Sequence, residues 1–348
     1  MKTSQQTIMI SALMASLLFA VTGCEKQAED SQLQHEAAVQ VASSSLAAEL
    51  KSRAVVAPAA SCTGSAPMGE LTPERIVGAN RTRTEDGLYE GAVWTQGALY
   101  FSDFTFAEGF PSRIQRLGAD GVMTTVIDDS GSNGLALDND GNLVAGTHKF
   151  KGLSRYNLAT GERTPLAGEY AGNVFNSPND IAIAKDGTIY FTDPSFQSAA
   201  APGGQAKTGV YRVATDGAVT LVDDTITNPN GIALSPEGDV LYVNGGGEQG
   251  LLRAYPIVDG VPQAGADLVT GLHIPDGMAV DCLGNIYLTE HVKRKLKVFT
   301  PAGEQIAIMS LDANVTNAAF GGAEGKTLYL TGAGAVWKQE LDITGSPY

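Results

Sequence analysis

Side chains that carry oxygen recur at equivalent points of this sequence, in a pattern that could bind a hard cation. Each one precedes a short apolar run, and a turn glycine follows seven or eight residues later. Carboxylate and amide oxygens are ligands for hard cations, and Ca²⁺ accepts irregular ligand sets more readily than Mg²⁺ does. We therefore expect a divalent cation, with Ca²⁺ preferred and Zn²⁺, Mg²⁺ or Mn²⁺ as alternatives. The residues are Glu90, Asn133, Asn179, Asn230, Asp276 and Asn317, together with Asp180 beside Asn179.

Such a site could hydrolyse an ester bond. A bound cation polarises a carbonyl and lowers the pKa of a bound water, and a neighbouring carboxylate can accept that water's proton. Asp276 and Asp180 are the candidate bases. A cation that binds Asp276 would make it a weak base, and the sequence does not decide between the two. The competing interpretation is that these Asn and Asp residues only cap strand ends and turns. Since no Ser–His–Asp or Cys–His arrangement is evident, covalent catalysis is not expected.

The elements that would position these side chains are six copies of one β-hairpin. In each copy the polar residue begins a strand, a glycine turn follows, and a second strand returns. The glycine lies eight residues after the polar residue in five copies and seven residues after it in the first. Successive polar residues are 43, 46, 51, 46 and 41 positions apart. Periods of this length with strand–turn–strand content are typical of propeller blades.

The sequence therefore predicts an all-β fold, a six-bladed β-propeller. One four-stranded blade cannot bury both of its faces, whereas six blades stacked in a closed circle can. The innermost strand of each blade lines the axial channel, so all six polar residues are expected at one mouth of that channel. Residues 75–78 are expected to complete the last blade beside residues 335–338. An open solenoid is the alternative all-β array.

Composition and charge limit the classes of partner. The chain has 348 residues, of which 43% are apolar and 18% are charged, so it can form a large core. Its formal net charge of −15 repels phosphate backbones, and we expect no nucleic-acid partner. We expect a monomer that binds a small-molecule substrate.

Residues 1–23 resemble a bacterial lipoprotein signal peptide. The apolar run at residues 7–21 is too short for a comfortable membrane span. Residues 21–24 (Val-Thr-Gly-Cys) resemble a lipobox, which implies cleavage before Cys24 and acylation of that cysteine; an uncleaved anchor or an ordinary signal is the alternative. By the same resemblance, Glu25 favours the outer membrane. We expect a periplasm-facing protein of the bacterial cell envelope that is attached to the membrane only through lipid.

A tether is expected between this signal and the propeller. Residues 24–71 are rich in Ala, Ser, Gln and Glu and would bury little apolar surface, so the propeller is assigned to residues 72–348. In an exported protein, Cys62 and Cys282 could form a disulfide or remain two free thiols. Since Cys282 lies near the turn opposite the channel mouth, a bond to Cys62 would direct the mouth away from the lipid.

The repeated motifs resemble those of the senescence-marker-protein/gluconolactonase family, which includes regucalcin and bacterial gluconolactonases. The resemblance covers the whole of the expected propeller. Each motif alone is a weak signal, but six of them in the same order form a strong resemblance. The matching stretches are Glu90-Gly91-Ala92-Val93-Trp94, Asn176-Ser177-Pro178-Asn179-Asp180, Tyr190-Phe191-Thr192-Asp193-Pro194, Asn228-Pro229-Asn230-Gly231, Pro275-Asp276-Gly277-Met278 and Thr316-Asn317-Ala318-Ala319.

The resemblance implies a metal-dependent hydrolase of sugar lactones or related lactones. The family's cation ligands match Glu90, Asn230 and Asp276, with Asn179 as a fourth ligand or a substrate contact. The residue that matches Asp276 is also the one proposed in the family to activate water. Ser177 stands where regucalcin has an Arg, which argues against an aldonolactone-type contact.

Further substrate contacts are expected from three residues. Asn133 and Asn317 are the remaining amides of the expected ring. By the family resemblance, bacterial gluconolactonases often carry a His near the substrate at the position of His148; the alternative is an exposed loop His. In contrast, His273 and His291 flank the fifth blade and are expected to be structural or surface residues.

Two other functions compete with the lactone hydrolase. One is a non-enzymatic, Ca²⁺-binding propeller lipoprotein that acts as a binding or scaffold module, because a fold does not fix its chemistry. The other is hydrolysis of organophosphates or phosphoesters by the same site.

Overall fold

Each predicted hairpin forms the two inner strands of a separate antiparallel sheet. The structure is a computed structural model of the chain and describes residues 62–346; the predicted signal peptide, Cys24 and most of the predicted tether lie outside these residues. The first strand of each of the six main sheets contacts the first strands of the sheets on either side. The sheets therefore form a six-bladed β-propeller, as predicted, with the first strands around the axis.

The first three blades each have four strands in chain order. Blade 1 consists of Gly87–Thr95, Ala98–Thr105, Ser112–Gly118 and Met123–Ile127. Blade 2 consists of Ser132–Leu137, Leu143–Thr147, Gly152–Tyr156 and Arg163–Ala167. Blade 3 consists of Ile181–Ile183, Ile189–Asp193, Gly209–Val213 and Val219–Asp223. A small hairpin, Glu169–Tyr170 with Asn173–Val174, lies between blades 2 and 3 in the chain.

The last three blades carry additional or borrowed strands. Blade 4 consists of Ile232–Leu234, Val240–Gly245, Gly250–Val258 and Ala266–Leu272, and Val261–Pro262 pairs with its third strand. Blade 5 consists of Pro275–Val280, Ile286–Glu290, Lys295–Phe299, Gln305–Ser310 and Gly69–Leu71. Blade 6 consists of Val315–Gly321, Thr327–Gly332, Val336–Glu340 and Glu74–Arg75. Short 3-10 helices are Val77–Ala79, Ser198–Ala200, Gly247–Gln249 and His291–Lys293. None of the helices within residues 62–346 is long and apolar enough to cross a membrane.

Apolar side chains fill the spaces between the blades. Trp94 of blade 1 stacks on Tyr329 of blade 6, with 5.1 Å between the ring centroids. Tyr287 of blade 5 meets Phe320 of blade 6 edge-on, also at 5.1 Å. Aromatic pairs of this kind stabilise the packing beyond the area that they bury. The inner strands are therefore held at a fixed spacing around the axis.

Two short strands from the start of the described chain close the circle. Glu74–Arg75 pairs with Val336–Glu340 in blade 6, in the region predicted for that closure. Gly69–Leu71 pairs in parallel with Gln305–Ser310 in blade 5. This second strand lies inside the predicted tether, so the propeller begins earlier than expected. Three residues are too few for their alternation to be recognised as a strand from sequence.

A disulfide joins Cys62 to Cys282, whose Cα atoms are 5.5 Å apart. Cys282 lies in the turn of the blade 5 hairpin, at the opposite end of the inner strand from Asp276. Close by, Gly64 and Ile343 form a β-bridge. The segment that begins at Cys62 is therefore fixed on the face of the propeller opposite the predicted mouth.

Candidate functional site at the channel mouth

Side chains from the second strands fix the places where the inner strands begin. Ser102 Oγ of blade 1 donates to the carbonyl of Asn133 in blade 2, and Thr192 Oγ1 of blade 3 donates to the carbonyl of Asn230 in blade 4; both bonds are 2.6 Å. Each bond therefore ties one blade to the predicted polar residue of the next. Equivalent bonds run from Asn244 to the carbonyl of Asp276 and from Thr289 to the carbonyl of Thr316.

Sequence reasoning missed these second-strand donors, although the sequence contains a signal for them. A Ser, Thr or Asn lies five or six residues after the turn glycine in every copy of the repeat. The six residues are Ser102, Thr147, Thr192, Asn244, Thr289 and Thr331.

Gly134 and Gly277 allow neighbouring inner strands to approach each other at the mouth. A Cβ atom on Gly277 would lie 2.2 Å from the Asn317 side chain, and one on Gly134 would lie 2.4 Å from the carbonyl oxygen of Asn179. Any side chain at these positions would push the blades apart. This crowding explains why glycine follows the polar residue in these copies of the repeat.

Two amide–carboxylate pairs organise the predicted polar residues into a ring. Asn230 Nδ2 donates to Asp276 Oδ1 at 2.7 Å and joins adjacent blades. Asn317 Nδ2 lies 3.0 and 3.1 Å from the two carboxylate oxygens of Asp180, which belongs to the blade on the other side of the axis. We refer to Glu90, Asn133, Asn179, Asp180, Asn230, Asp276 and Asn317 as the mouth ring.

Four buried oxygens of the mouth ring accept no hydrogen bond from the described residues. Buried acceptors are normally satisfied, and leaving one unpaired costs about 1–3 kcal/mol. A cation coordinated by these oxygens would remove that cost at several atoms together. The four atoms are Glu90 Oε2, Asn133 Oδ1, Asn179 Oδ1 and Asn230 Oδ1.

The three carboxyl groups of the ring are buried close to one another, and this changes their acidity. Burial, followed by the charge of Asp276, raises the pKa of Asp180 to about 8. Burial also raises the pKa of Glu90, with further contributions from Asp276 and Asp180, and burial raises the pKa of Asp276. Without a counter-ion these groups hold protons that ordinary carboxyl groups release. A bound cation would reverse that preference.

The donor set of the ring suits Ca²⁺. Across residues 62–346, no three His, Cys, Asp or Glu side chains are grouped as metal ligands by themselves. A cation in the ring would therefore use amide oxygens together with carboxylates, a mixture that Ca²⁺ accepts. Glu90, Asn179, Asn230 and Asp276, the ligands expected from the family resemblance, each contribute a carboxylate or an unpaired amide oxygen, and Asn133 Oδ1 is a further unpaired oxygen of the ring.

A cavity of about 440 Å³ follows the axis behind the ring. Asp180 and Asn317 lie at its ring end, Lys185 and Ser346 also line it, and small or branched apolar side chains such as Ala182 form much of its wall. The Asp180–Asn317 pair therefore borders both the mouth ring and the axial cavity.

His148 occupies a different position from the other predicted site residues. Its side chain is fully buried, its Nε2 lies 2.8 Å from the carbonyl oxygen of Phe110, and Phe104 and Phe110 pack edge-on against its ring. Burial lowers its pKa to about 4. Because these aromatic rings cover it, the predicted contact between His148 and a substrate requires that cover to move.

Asp193 and Lys151 fix the segment that leads to Asn179. Both carboxylate oxygens of Asp193 accept backbone N–H bonds, from Asn176 and Ser177, each at 2.8 Å. Lys151 Nζ, from the loop of blade 2, donates to the carbonyl of Asn176 at 2.7 Å. Sequence reasoning did not identify either residue as a support of the site. The Ser177 side chain is buried and donates to a backbone carbonyl, so it does not face the mouth.

Gln197 and His291 also contact the ring without having been predicted to do so. Asn133 Nδ2 lies 3.4 Å from Gln197 Oε1, which comes from the loop after the second strand of blade 3. His291 Nδ1 lies 3.5 Å from Asp276 Oδ2, although His291 was expected to be a structural or surface residue. Both residues lie in loops outside the repeated hairpin, where the pattern gives no information.

Comparisons with known proteins agree with this architecture. Residues 88–334 match the SMP-30/Gluconolactonase/LRE-like region. A gluconolactonase from Zymomonas mobilis is 28% identical over 277 residues, which cover 70% of this chain and 75% of the relative. The solved structure of a gluconolactonase from Xanthomonas campestris is 27% identical, with a TM-score of 0.67 over 82% of this chain and 99% of its own. A calcium-binding regucalcin from Agrobacterium tumefaciens has the same fold, with 20% identity and a TM-score of 0.65 over 81% of this chain and 97% of its own.

Proposed function

Because this chain belongs to the SMP-30/gluconolactonase/LRE-like family, we propose that it hydrolyses a lactone with the help of a divalent cation in the mouth ring, preferably Ca²⁺. The observation that carries the proposal is the convergence of unpaired buried oxygens with three buried carboxyl groups. A bound cation would satisfy the unpaired oxygens and the charges of the carboxylates together.

The roles of the ring residues follow from their contacts. Glu90, Asn179, Asn230 and Asp276 would hold the cation, which when bound polarises a lactone carbonyl and acidifies a water molecule. Asp180 is the base in this proposal, because a cation bound to Asp276 would hold that carboxylate ionised and make it a weak base, whereas Asp180 is not among the proposed ligands. Asn317 orients the Asp180 carboxylate through both of its oxygens.

In this proposal the substrate binds at the channel mouth, next to the mouth ring. Asn133 and Asn317 are the ring amides that we assign to substrate contact, and neither is needed to complete the set of cation ligands. Ser177, which stands where regucalcin has an Arg, is buried and donates to the carbonyl of Pro194, so this position places no cationic side chain at the mouth. We therefore propose a lactone that does not depend on a cationic side chain at that position.

A substrate panel tests the function. The purified protein is incubated with hydroxylated lactones, unsubstituted lactones and phosphotriesters, with Ca²⁺ or with a chelator, and proton release is followed. Lactone opening that the chelator abolishes and Ca²⁺ restores is the expected result. Hydrolysis of phosphotriesters alone, or binding of Ca²⁺ without any hydrolysis, would instead support one of the two competing functions.

We also propose that the protein is a monomer anchored to the outer membrane by lipid on Cys24, with the propeller in the periplasm. The lipobox-like residues 21–24 and the apolar run before them support this location. The Cys24→Ala variant is expected to leave the detergent phase on phase partitioning, whereas the unaltered protein enters it. Light scattering of the released propeller measures its mass, and a dimer mass would contradict the monomer.

A further inference from the structure

His291 lies between the mouth ring and the inner strand of blade 6. Its Nδ1 is 3.0 Å from the carbonyl oxygen of Val315 and 3.5 Å from Asp276 Oδ2. A backbone carbonyl only accepts hydrogen bonds, so Nδ1 must carry the hydrogen. That hydrogen is directed to Val315, and the same ring nitrogen also lies against Asp276 Oδ2, the carboxylate oxygen that does not accept from Asn230.

Asp276 is constrained from several sides, and His291 provides one of the constraints. Asn230 Nδ2 donates to its Oδ1 at 2.7 Å, and Asn244 Nδ2 donates to its backbone carbonyl at 2.6 Å. The backbone N–H of Gly277 also bonds to this carboxylate, and His291 Nδ1 is the side-chain atom that lies 3.5 Å from its Oδ2. Without it, rotation of the carboxylate about its terminal bond would be less restricted on that side.

The position of His291 is itself fixed by neighbouring groups. It begins the short helix His291–Lys293, whose end is closed by the Arg294 N–H bonding to the His291 carbonyl. The preceding residue, Glu290, is buried and bonds to Lys297 Nζ and to the backbone N–H of His273, each at 2.8 Å. The His291 ring is therefore held in place before any ligand binds.

We propose that His291 is a positioning residue that orients the Asp276 carboxylate for cation binding. Side chains that contact a metal ligand without touching the metal commonly change metal affinity by about 10- to 100-fold when they are removed. This inference rests on the proposed function, because it assigns Asp276 to the cation. It does not require His291 to touch the cation or the substrate.

Two variants separate the donor from the bulk of the side chain. His291→Phe keeps a ring but has no N–H, whereas His291→Asn loses the ring but places an amide N–H near the position of Nδ1. His273→Phe is the matched control, since His273 flanks the same blade and its described contact with Glu290 is made by its backbone. Ca²⁺ affinity is measured by titration calorimetry, and unfolding in chelator shows whether each variant folds.

The expected result is a loss of Ca²⁺ affinity of about 10- to 100-fold in His291→Phe, with most of it recovered in His291→Asn and no change in His273→Phe. Unchanged affinity in His291→Phe, or equal losses in both His291 variants, would overturn the inference. If the phenyl ring prevents folding, His291→Leu takes its place in the same comparison. A wild-type protein that binds no Ca²⁺ would contradict the proposed function and is distinguished by its own titration.

Discussion

Asn317 of blade 6 bonds to both carboxylate oxygens of Asp180 in blade 3, so one amide spans the axis of the propeller. The two blades are opposite each other; Asp180 immediately precedes its inner strand, and Asn317 is the third residue of its own. The orientation of Asp180, the proposed base, therefore depends on closure of the propeller. A change in the spacing between blades 3 and 6 would move Asn317 relative to this carboxylate.

Asp180→Asn and Asp276→Asn are expected to fail in different ways. If Asp180 is the base, Asp180→Asn lowers kcat by about 10²- to 10⁴-fold and leaves Ca²⁺ affinity within a few-fold of the wild type. Asp276→Asn removes a ligand charge and lowers Ca²⁺ affinity as well as activity. Steady-state kinetics combined with calorimetry measures both quantities. Full kcat in Asp180→Asn would assign the base elsewhere.

Glu90→Gln is expected to stabilise the cation-free protein while it weakens function. Burial and the nearby Asp276 and Asp180 raise the pKa of Glu90, so folding in chelator requires this group either to take up a proton or to bury a repelled charge, and a neutral Gln removes both costs. In chelator the melting temperature is expected to rise, whereas Ca²⁺ affinity is expected to fall more than about tenfold. Scanning calorimetry with and without Ca²⁺ checks both effects. Glu304→Gln, an exposed control, should change neither.

The stability of the cation-free protein is expected to fall as the pH rises. The pKa of Asp180 is raised to about 8 in the folded state, above its value of about 3.9 in an unfolded chain. Between these values the folded state retains a proton that the unfolded state releases, so each retained proton costs about 1.4 kcal/mol of stability per pH unit. The raised pKa values of Glu90 and Asp276 act in the same direction.

Urea unfolding in chelator between about pH 5 and pH 8 measures this dependence. With saturating Ca²⁺ the dependence should shrink or reverse, because the cation binds the ionised carboxylates. A chelated protein that becomes more stable from pH 5 to pH 8 would contradict the prediction. Asp180→Asn should show a smaller loss than the wild type.

Replacing both Cys62 and Cys282 by Ser is expected to lower stability without changing kcat. The disulfide closes a loop of 220 residues in the unfolded chain, and bonds of this kind contribute about 2–4 kcal/mol. It lies on the face opposite the mouth ring, so the ring should be unaffected. Urea unfolding and lactone kinetics measure the two effects. A non-reducing peptide map that shows both thiols free in the mature protein would contradict the bond.

The repeat predicted the fold and most of the ring because the same packing constraint between neighbouring inner strands acts in successive blades. A glycine that touches the next blade's polar residue, such as Gly277 against Asn317, leaves a pattern in the sequence that spacing reveals. The pairing of Asn317 with Asp180 leaves no such pattern, because it depends on which blades are opposite each other. This pairing follows only from the three-dimensional arrangement of all six blades.

Loop residues do not follow the repeat, so its spacing does not predict which of them reach the mouth ring. Gln197 and His291 reach the ring from connections that differ in length and composition between blades, so periodicity says nothing about them. His148 shows the opposite case: the family resemblance indicated a substrate contact, whereas its burial under Phe104 and Phe110 depends on loop packing. Lys151 and Asp193 hold backbone groups, and such pairings depend on tertiary distances.

Blades 5 and 6 each combine an early strand with strands made much later: Gly69 pairs with Ala307, and Glu74 pairs with Lys338, which are 238 and 264 positions apart. During synthesis the early strands therefore have no partners until nearly the whole chain has left the ribosome, and pairings over such distances form slowly. A nascent chain of this protein thus stays open until its last strands emerge. The proposed export, in which an unfolded chain crosses a membrane, is compatible with that delay.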